Sequence, residues 1–126
     1  CGFQCATNYE VPMTKVISIN TSGTPELGEI APEKLISGGS ATKLWHAFSN
    51  GTGQFHVGHW SSAPCELSVN YTEGELCVIV EGSVTLTGAD GTQTTHMKGD
   101  AFVIPSGFSG VWKSNENVTK IYAAFE

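Results

Sequence analysis

Glu75-Leu76-Cys77-Val78-Ile79-Val80-Glu81-Gly82 sets an acid ahead of a nearly continuous apolar run and closes the run with glycine. Further on, Gly99-Asp100-Ala101-Phe102-Val103-Ile104-Pro105-Ser106-Gly107 makes a Gly-Asp turn, a short apolar strand and a Pro-x-Gly stop. Gly82 and Gly99 suit tight turns that need positive φ. Pro105 has no N–H for a sheet ladder and marks a strand's end. Between the two stretches lies a hairpin, residues 84–97, with Asp90-Gly91 as a turn.

The same punctuation continues outward. Strands are predicted at residues 15–19, 43–48, 54–60, 65–71, 75–81, 84–87, 93–97, 101–104, 110–113 and 118–125. In residues 65–71, Leu67, Val69 and Tyr71 share one face, and Glu66, Ser68 and Asn70 the other. Asn50-Gly51 and Pro64 mark turns. Residues 32–36 suit one helical turn, with Pro32 at its first position and Gly38-Gly39 as its stop. About ten short strands at regular spacing, with no alternating helices, read as an all-β sandwich or barrel.

A chain of 126 residues holds one domain with its own core. With 40% hydrophobic and 14% charged residues it is globular. Its net charge of −6, with no basic stripe, argues against nucleic acid or an anionic membrane surface as partner. No stretch reaches the ~20 apolar residues of a spanning helix. Residues 1–14 read as a tail, and 15–126 as the domain. The tail lacks the basic and apolar regions of a signal peptide, and Met13 makes a more ordinary opening than Cys1. Cys1, Cys5, Cys65 and Cys77 fit no zinc spacing, which together with the tail points to a reducing, cytoplasmic setting.

The two quoted blocks resemble those of the cupin superfamily, small double-stranded β-helix barrels of the jelly-roll type. Gly58-x-Trp60, residues 71–75, residues 84–87, Asp90-Gly91, residues 105–108, Gly110-x-Trp112 and residues 120–122 extend the likeness. They resemble the single-domain type 3 branch, which includes relatives of ureidoglycine aminohydrolase and of an ethanolamine-utilisation protein. The resemblance covers residues 28–126, with its core at 55–126. It implies a homodimer, for which residues 15–19 would supply a strand.

In metal-binding cupins three histidines and a glutamate hold Mn, Fe, Ni or Zn. Carried onto this chain, the glutamate is Glu75. The histidine positions fall on Val69 and Tyr71, or on Ser68 and Asn70, and on Gly110. The usual set is therefore missing, and no cofactor is assigned. A divalent metal would need a rebuilt site, Glu75 with His46, His56 or His59. His56 and His59 fall on opposite faces of one strand, so they do not chelate together. His96 is expected at the surface.

The resemblance points Glu75 into the barrel, where a carboxylate needs a partner. Tyr71, Lys120, Tyr122 and Trp112 are the candidates, and Lys120 and Tyr122 share a face by period. Glu75, Tyr71, Lys120 and Tyr122 are the candidate catalytic residues, suited to proton transfer on a small polar metabolite. Trp60, Trp112, Val69 and Cys77 are the candidate ligand-binding residues. The same groups would equally serve a binding module without chemistry, or an accessory barrel filled by its own side chains.

Overall fold

A computed structural model describes residues 14–126. Among these residues eleven strands form two antiparallel sheets. β1 (Glu26–Glu29), β3 (Ala41–Ser49), β4 (Phe55–Ser62), β11 (Val118–Phe125), β6 (Gly74–Glu81) and β9 (Ala101–Ile104) lie side by side in that order. The second sheet runs β2 (Leu35–Gly38), β5 (Cys65–Asn70), β10 (Ser109–Ser114), β7 (Ser83–Gly88) and β8 (Gln93–Met97). The chain crosses between sheets repeatedly, as a jelly roll does. Among the described residues no helix is long and apolar enough to cross a membrane.

The core lies between the two sheets. Cys77 and Ile79 of β6, Ile104 of β9 and Val118 of β11 meet Val84 and Leu86 of β7 and Trp112 of β10. Strand alternation sorts the rest: Glu75, Cys77 and Ile79 point inward, while Leu76 points out and is exposed. Burying each large core side chain stabilises the fold by roughly 1.5–3 kcal/mol. Leu67, Val69 and Tyr71 pack on this cluster from one face of residues 65–71, as their period predicts.

The two deciding stretches become β6 and β9, which pair antiparallel from Glu75↔Ile104 to Val78↔Ala101. Gly82 ends β6 with φ +83 and lies so close to the Asn117 carbonyl that a Cβ would collide with it. Asp100 closes the turn before β9 by accepting the Met97 N–H at 2.9 Å.

Two expectations near the start of the chain need correction. Residues 15–19 form no strand; they run outside both sheets, and Val16 is fully exposed. An apolar alternation with no sheet edge beside it has no ladder to join. Residues 32–34 do turn, with Leu35 N–H bonded to Ala31 O at 3.1 Å, but Leu35 then enters β2 against β5. The expected tail, residues 1–14, lies outside the described residues except for Thr14.

Gly110 lies mid-sheet, between Val69 on β5 and Gly88 on β7. A Cβ there would be driven into the Thr87 carbonyl. Backbone cannot yield as a flexible side chain does. Gly110→Ala should therefore lower stability by about 2 kcal/mol or more, read as a lower urea midpoint. An unchanged midpoint would mean that β7 and β10 do not approach this closely.

Candidate functional site

The inward rows of β4, β6 and β11 build one end of the barrel interior. Register sets Lys120 opposite Trp60 and Ile79, Tyr122 opposite Gly58 and Cys77, and Ala124 opposite His56 and Glu75. Directly opposed residues share a face, so these side chains converge. The small side chain of Ala124 leaves space between large neighbours. The result is an open cavity of about 510 Å3, whose lining includes Trp60, Val69, Tyr71, Glu75, Lys120 and Tyr122.

At the cavity floor Lys120 Nζ lies 2.6 Å from Glu75 Oε2, and both side chains are close to fully buried. The Cys77 thiol donates to the same oxygen at 3.3 Å. No donor among the described residues meets Oε1. The ammonium also sits 4.4 Å from the centre of the Trp112 ring and 5.1 Å from that of Trp60. The two indoles stand edge to face, with centroids 5.7 Å apart. Trp112 is fixed from behind by its Nε1–H, which donates to Ser114 Oγ at 2.9 Å. Carboxylate and π faces together replace the water that a buried ammonium loses.

Burial alone would lower the Lys120 pKa. Its contacts with Tyr71 and Cys77, and the charge and hydrogen bond of Glu75, outweigh burial and raise it, so the side chain stays an ammonium. Burial pushes the Tyr71 phenol up to about 12, against the pull of Lys120. Burial likewise pushes the Cys77 thiol up to about 12. Burial and the charge of Glu75 raise Tyr122. The pair is thus one cation and one anion among neutral phenols and a neutral thiol.

Of the expected residues, Glu75, Tyr71, Lys120, Tyr122, Trp60, Trp112 and Val69 all line the cavity. Cys77 does not; it lies in the core beneath the ion pair, with no exposed surface. Its contact with Glu75 supports the carboxylate from below. His59 cannot join Glu75. It pairs with Trp45 and Ile121 and lines a groove on the outer face of the six-stranded sheet, with Nδ1 buried and unpartnered. His96 is half-buried, stacked on Phe102 at 4.0 Å. His46 and His56 do line the cavity, but they belong to a hydrogen-bond chain with Ser49 and Tyr122. Sequence reading missed that chain.

The donor set does not fit a divalent metal. Among the described residues no three His, Cys, Asp or Glu side chains come together. Oxygen Oε2 of Glu75 is bound to an ammonium. Neither pair onto which the resemblance carries two histidine positions, Val69 with Tyr71 or Ser68 with Asn70, holds an imidazole, and no side chain fits at Gly110. A cation does sit on Glu75, and it is Lys120.

Two predictions follow from the pair and its neighbours. Lys120→Met leaves Glu75 charged and unpaired beneath the cavity, and should cost about 3–5 kcal/mol in urea unfolding. Adding Glu75→Leu should recover most of that loss, because an apolar pair needs no counter-charge. A loss no smaller in the double variant would show that the pair is not coupled.

The second concerns pH. Cys77 and Tyr71 have folded pKa values raised from 9.0 and 10.0 to about 12, so the fold holds protons that the unfolded chain releases. Stability should be complete below pH 9.0 and fall as pH climbs toward about 12. Burial lowers His59 from 6.5, so the neutral ring stabilises above that value and the contribution is lost as pH falls below it. Urea midpoints measured across pH should show a plateau between these limits. A midpoint still constant at pH 11 would contradict the buried setting of Cys77 and Tyr71.

A family model described as an EutQ-like cupin domain matches residues 49–122. Three solved structures show the same fold. A protein of unknown function from Pseudomonas syringae pv. tomato, in the DUF861 family, is 25% identical with a TM-score of 0.76, over 84% of this chain and 46% of its own. This chain therefore spans less than half of that protein. A putative ethanolamine utilization protein of Salmonella typhimurium is 17% identical with a TM-score of 0.61, over 83% of this chain and 98% of its own. A DUF861-family protein of Thermotoga maritima is 36% identical with a TM-score of 0.50, over 51% of this chain and 73% of its own. No curated protein matches the chain. The match over residues 49–122, more than half the sequence, shows that this chain belongs to the EutQ-like cupin family.

Proposed function

We propose that the barrel binds a small polar metabolite bearing both a hydrogen-bond donor, such as an amino or ureido N–H, and a carbonyl or carboxylate acceptor. The observation that carries this reading is the buried Lys120–Glu75 pair, which commits Oε2 and leaves Oε1 as a fixed acceptor at the floor of a cavity. A volume of about 510 Å3 lies within the usual range for small-molecule sites. Phenols of Tyr71 and Tyr122 supply donors from the walls. Trp60 gives an apolar, flat side that the ion pair keeps in place.

The polar groups are held before any ligand arrives, which limits the ordering cost of binding. They are also mutually compensated. The floor carries a dipole rather than a net charge, so it selects a partner by its pattern of donors and acceptors rather than by its net charge.

Thermal shift and intrinsic tryptophan fluorescence with N-carbamoylglycine, glycine and acetate test the reading. N-carbamoylglycine, with both functions, should raise the melting temperature saturably and perturb the fluorescence of Trp60 more than acetate does. Glu75→Asp keeps the charge beside Lys120 but withdraws the carboxylate, and should weaken binding about tenfold or more, with ~1.4 kcal/mol per tenfold. Tyr71→Phe should weaken it by about threefold to tenfold, the worth of one neutral hydrogen bond. Absence of saturable binding by all three probes, or binding indifferent to Glu75→Asp, would overturn the proposal.

A further inference from the structure

Glu75 and Lys120 hold one another, so neither is well placed to pass a proton in both directions. A different cluster, at the cavity mouth, is. Tyr122 Oη lies 2.9 Å from His46 Nδ1, His46 Nε2 lies 2.8 Å from Ser49 Oγ, and Ser49 Oγ lies 2.7 Å from His56 Nδ1. Three short hydrogen bonds in series thus join a phenol that lines the cavity to two imidazoles.

Two backbone features build this chain. The β3–β4 register shifts between His46 and Phe48, from His46↔Gly58 to Phe48↔Val57 and Ser49↔His56. A regular strand would turn residues 46 and 49 to opposite faces. The extra residue, Ala47, reverses that parity and sets His46 and Ser49 on the same face as His56. Bulges re-aim side chains in this way. The second feature is Gly58. A Cβ there would stand 2.8 Å from Tyr122 Oη, 2.5 Å from Trp45 O and 3.0 Å from His46 Cα. Its absence opens the slot through which the phenol reaches the imidazole.

We propose that Tyr122 is the proton-transfer residue of the cavity, and that His46, Ser49 and His56 form the reversible chain that reloads it. This rests on the reading that the cavity takes a ligand; Tyr122 would touch it, and the other three position and reload Tyr122. In one polarity Tyr122 O–H donates to His46 Nδ1, His46 Nε2–H to Ser49 Oγ, and Ser49 O–H to His56 Nδ1, with the proton of His56 on Nε2. In the other, His56 Nδ1–H donates to Ser49, Ser49 to His46 Nε2, and His46 Nδ1–H to the phenol oxygen, whose own proton then faces the cavity.

Passing from the first to the second balances. A ligand proton arrives at Tyr122 as the phenol proton moves to His46 Nδ1. The His46 Nε2 proton moves to Ser49, the Ser49 proton to His56 Nδ1, and the His56 Nε2 proton leaves to water. Tyr122 remains a neutral phenol throughout, which suits a hydroxyl whose ionisation burial and Glu75 oppose. His59 Nδ1 is the one buried side-chain nitrogen or oxygen without a partner among the described residues, so His56 Nε2 is not sealed from solvent. Reversal lets the same hydroxyl act as acid or as base.

Tautomers report the polarity, and nitrogen NMR of 15N-histidine protein at mildly alkaline pH reads them without any ligand. The result is therefore independent of the binding test. Tyr122→Phe should shift the tautomer share of His46 and also that of His56, which Tyr122 does not touch. In a Ser49→Ala background the same substitution should still shift His46 and leave His56 unmoved. An unchanged His56 in Tyr122→Phe alone, or an equal response in both backgrounds, would overturn the chain. Should Tyr122→Phe fail to fold, Ser49→Ala alone decides: it must shift both rings, and a spectrum with both unchanged refutes the proposal.

Discussion

The interior of this barrel depends on one ion pair. An ammonium taken from water into a protein interior costs several kcal/mol, and the fold recovers that cost only if the charge is matched closely. Lys120 is matched by a carboxylate oxygen at 2.6 Å and by two indole faces at 4.4 and 5.1 Å. Its long stem is anchored mid-strand on β11, between β4 and β6, so the charge has little freedom to leave. The neighbours follow from this placement. Tyr71 and Cys77 lie where burial forbids a second negative charge, and both stay protonated. Trp60 and Trp112 take their edge-to-face arrangement around the same cation.

How far the sequence disclosed this depends on which physical signal each element carries. β6 and β9 were legible because glycine, proline and an acid punctuate an apolar run at fixed places. Lys120 and Tyr122 were legible as a pair because strand period alone sets them on one face. Choosing Lys120 among the four candidate partners of Glu75 needed the β6–β11 register, which shifts between Thr119 and Lys120 and is not written in either strand. β1 and β2 escaped because each has only four residues on a sheet edge, too few for a pattern. Residues 15–19 carried a strand pattern without a neighbour to pair with.

The histidines show the same limit from the other side. Period correctly separated His56 from His59, and the sheet places them on opposite faces. It would have placed Ser49 away from His46. The bulge at Ala47 undoes that parity, and no residue type at 46–48 announces it. Gly58 is quieter still. In sequence it reads as part of a Gly-x-Trp motif, yet in space it is the gap through which Tyr122 meets His46.

An ammonium held against Glu75, in place of a metal ion, sets what the cavity can do. A divalent ion carries two charges, leaves coordination positions open and binds a ligand atom directly. Lys120 carries one charge, cancels it against Glu75 and turns its remaining surface to indole faces and a thiol. The proposed ligand therefore meets no exposed positive centre. It meets a carboxylate oxygen, phenol hydroxyls and the flat side of Trp60, all of which act by hydrogen bonding and contact. Recognition of that kind discriminates by the pattern of donors and acceptors rather than by charge, because a mismatched polar group is left buried without a partner. The proposed proton traffic belongs to the groups that are not locked in the pair, and in this cavity those stand on β3, β4 and β11 at the mouth.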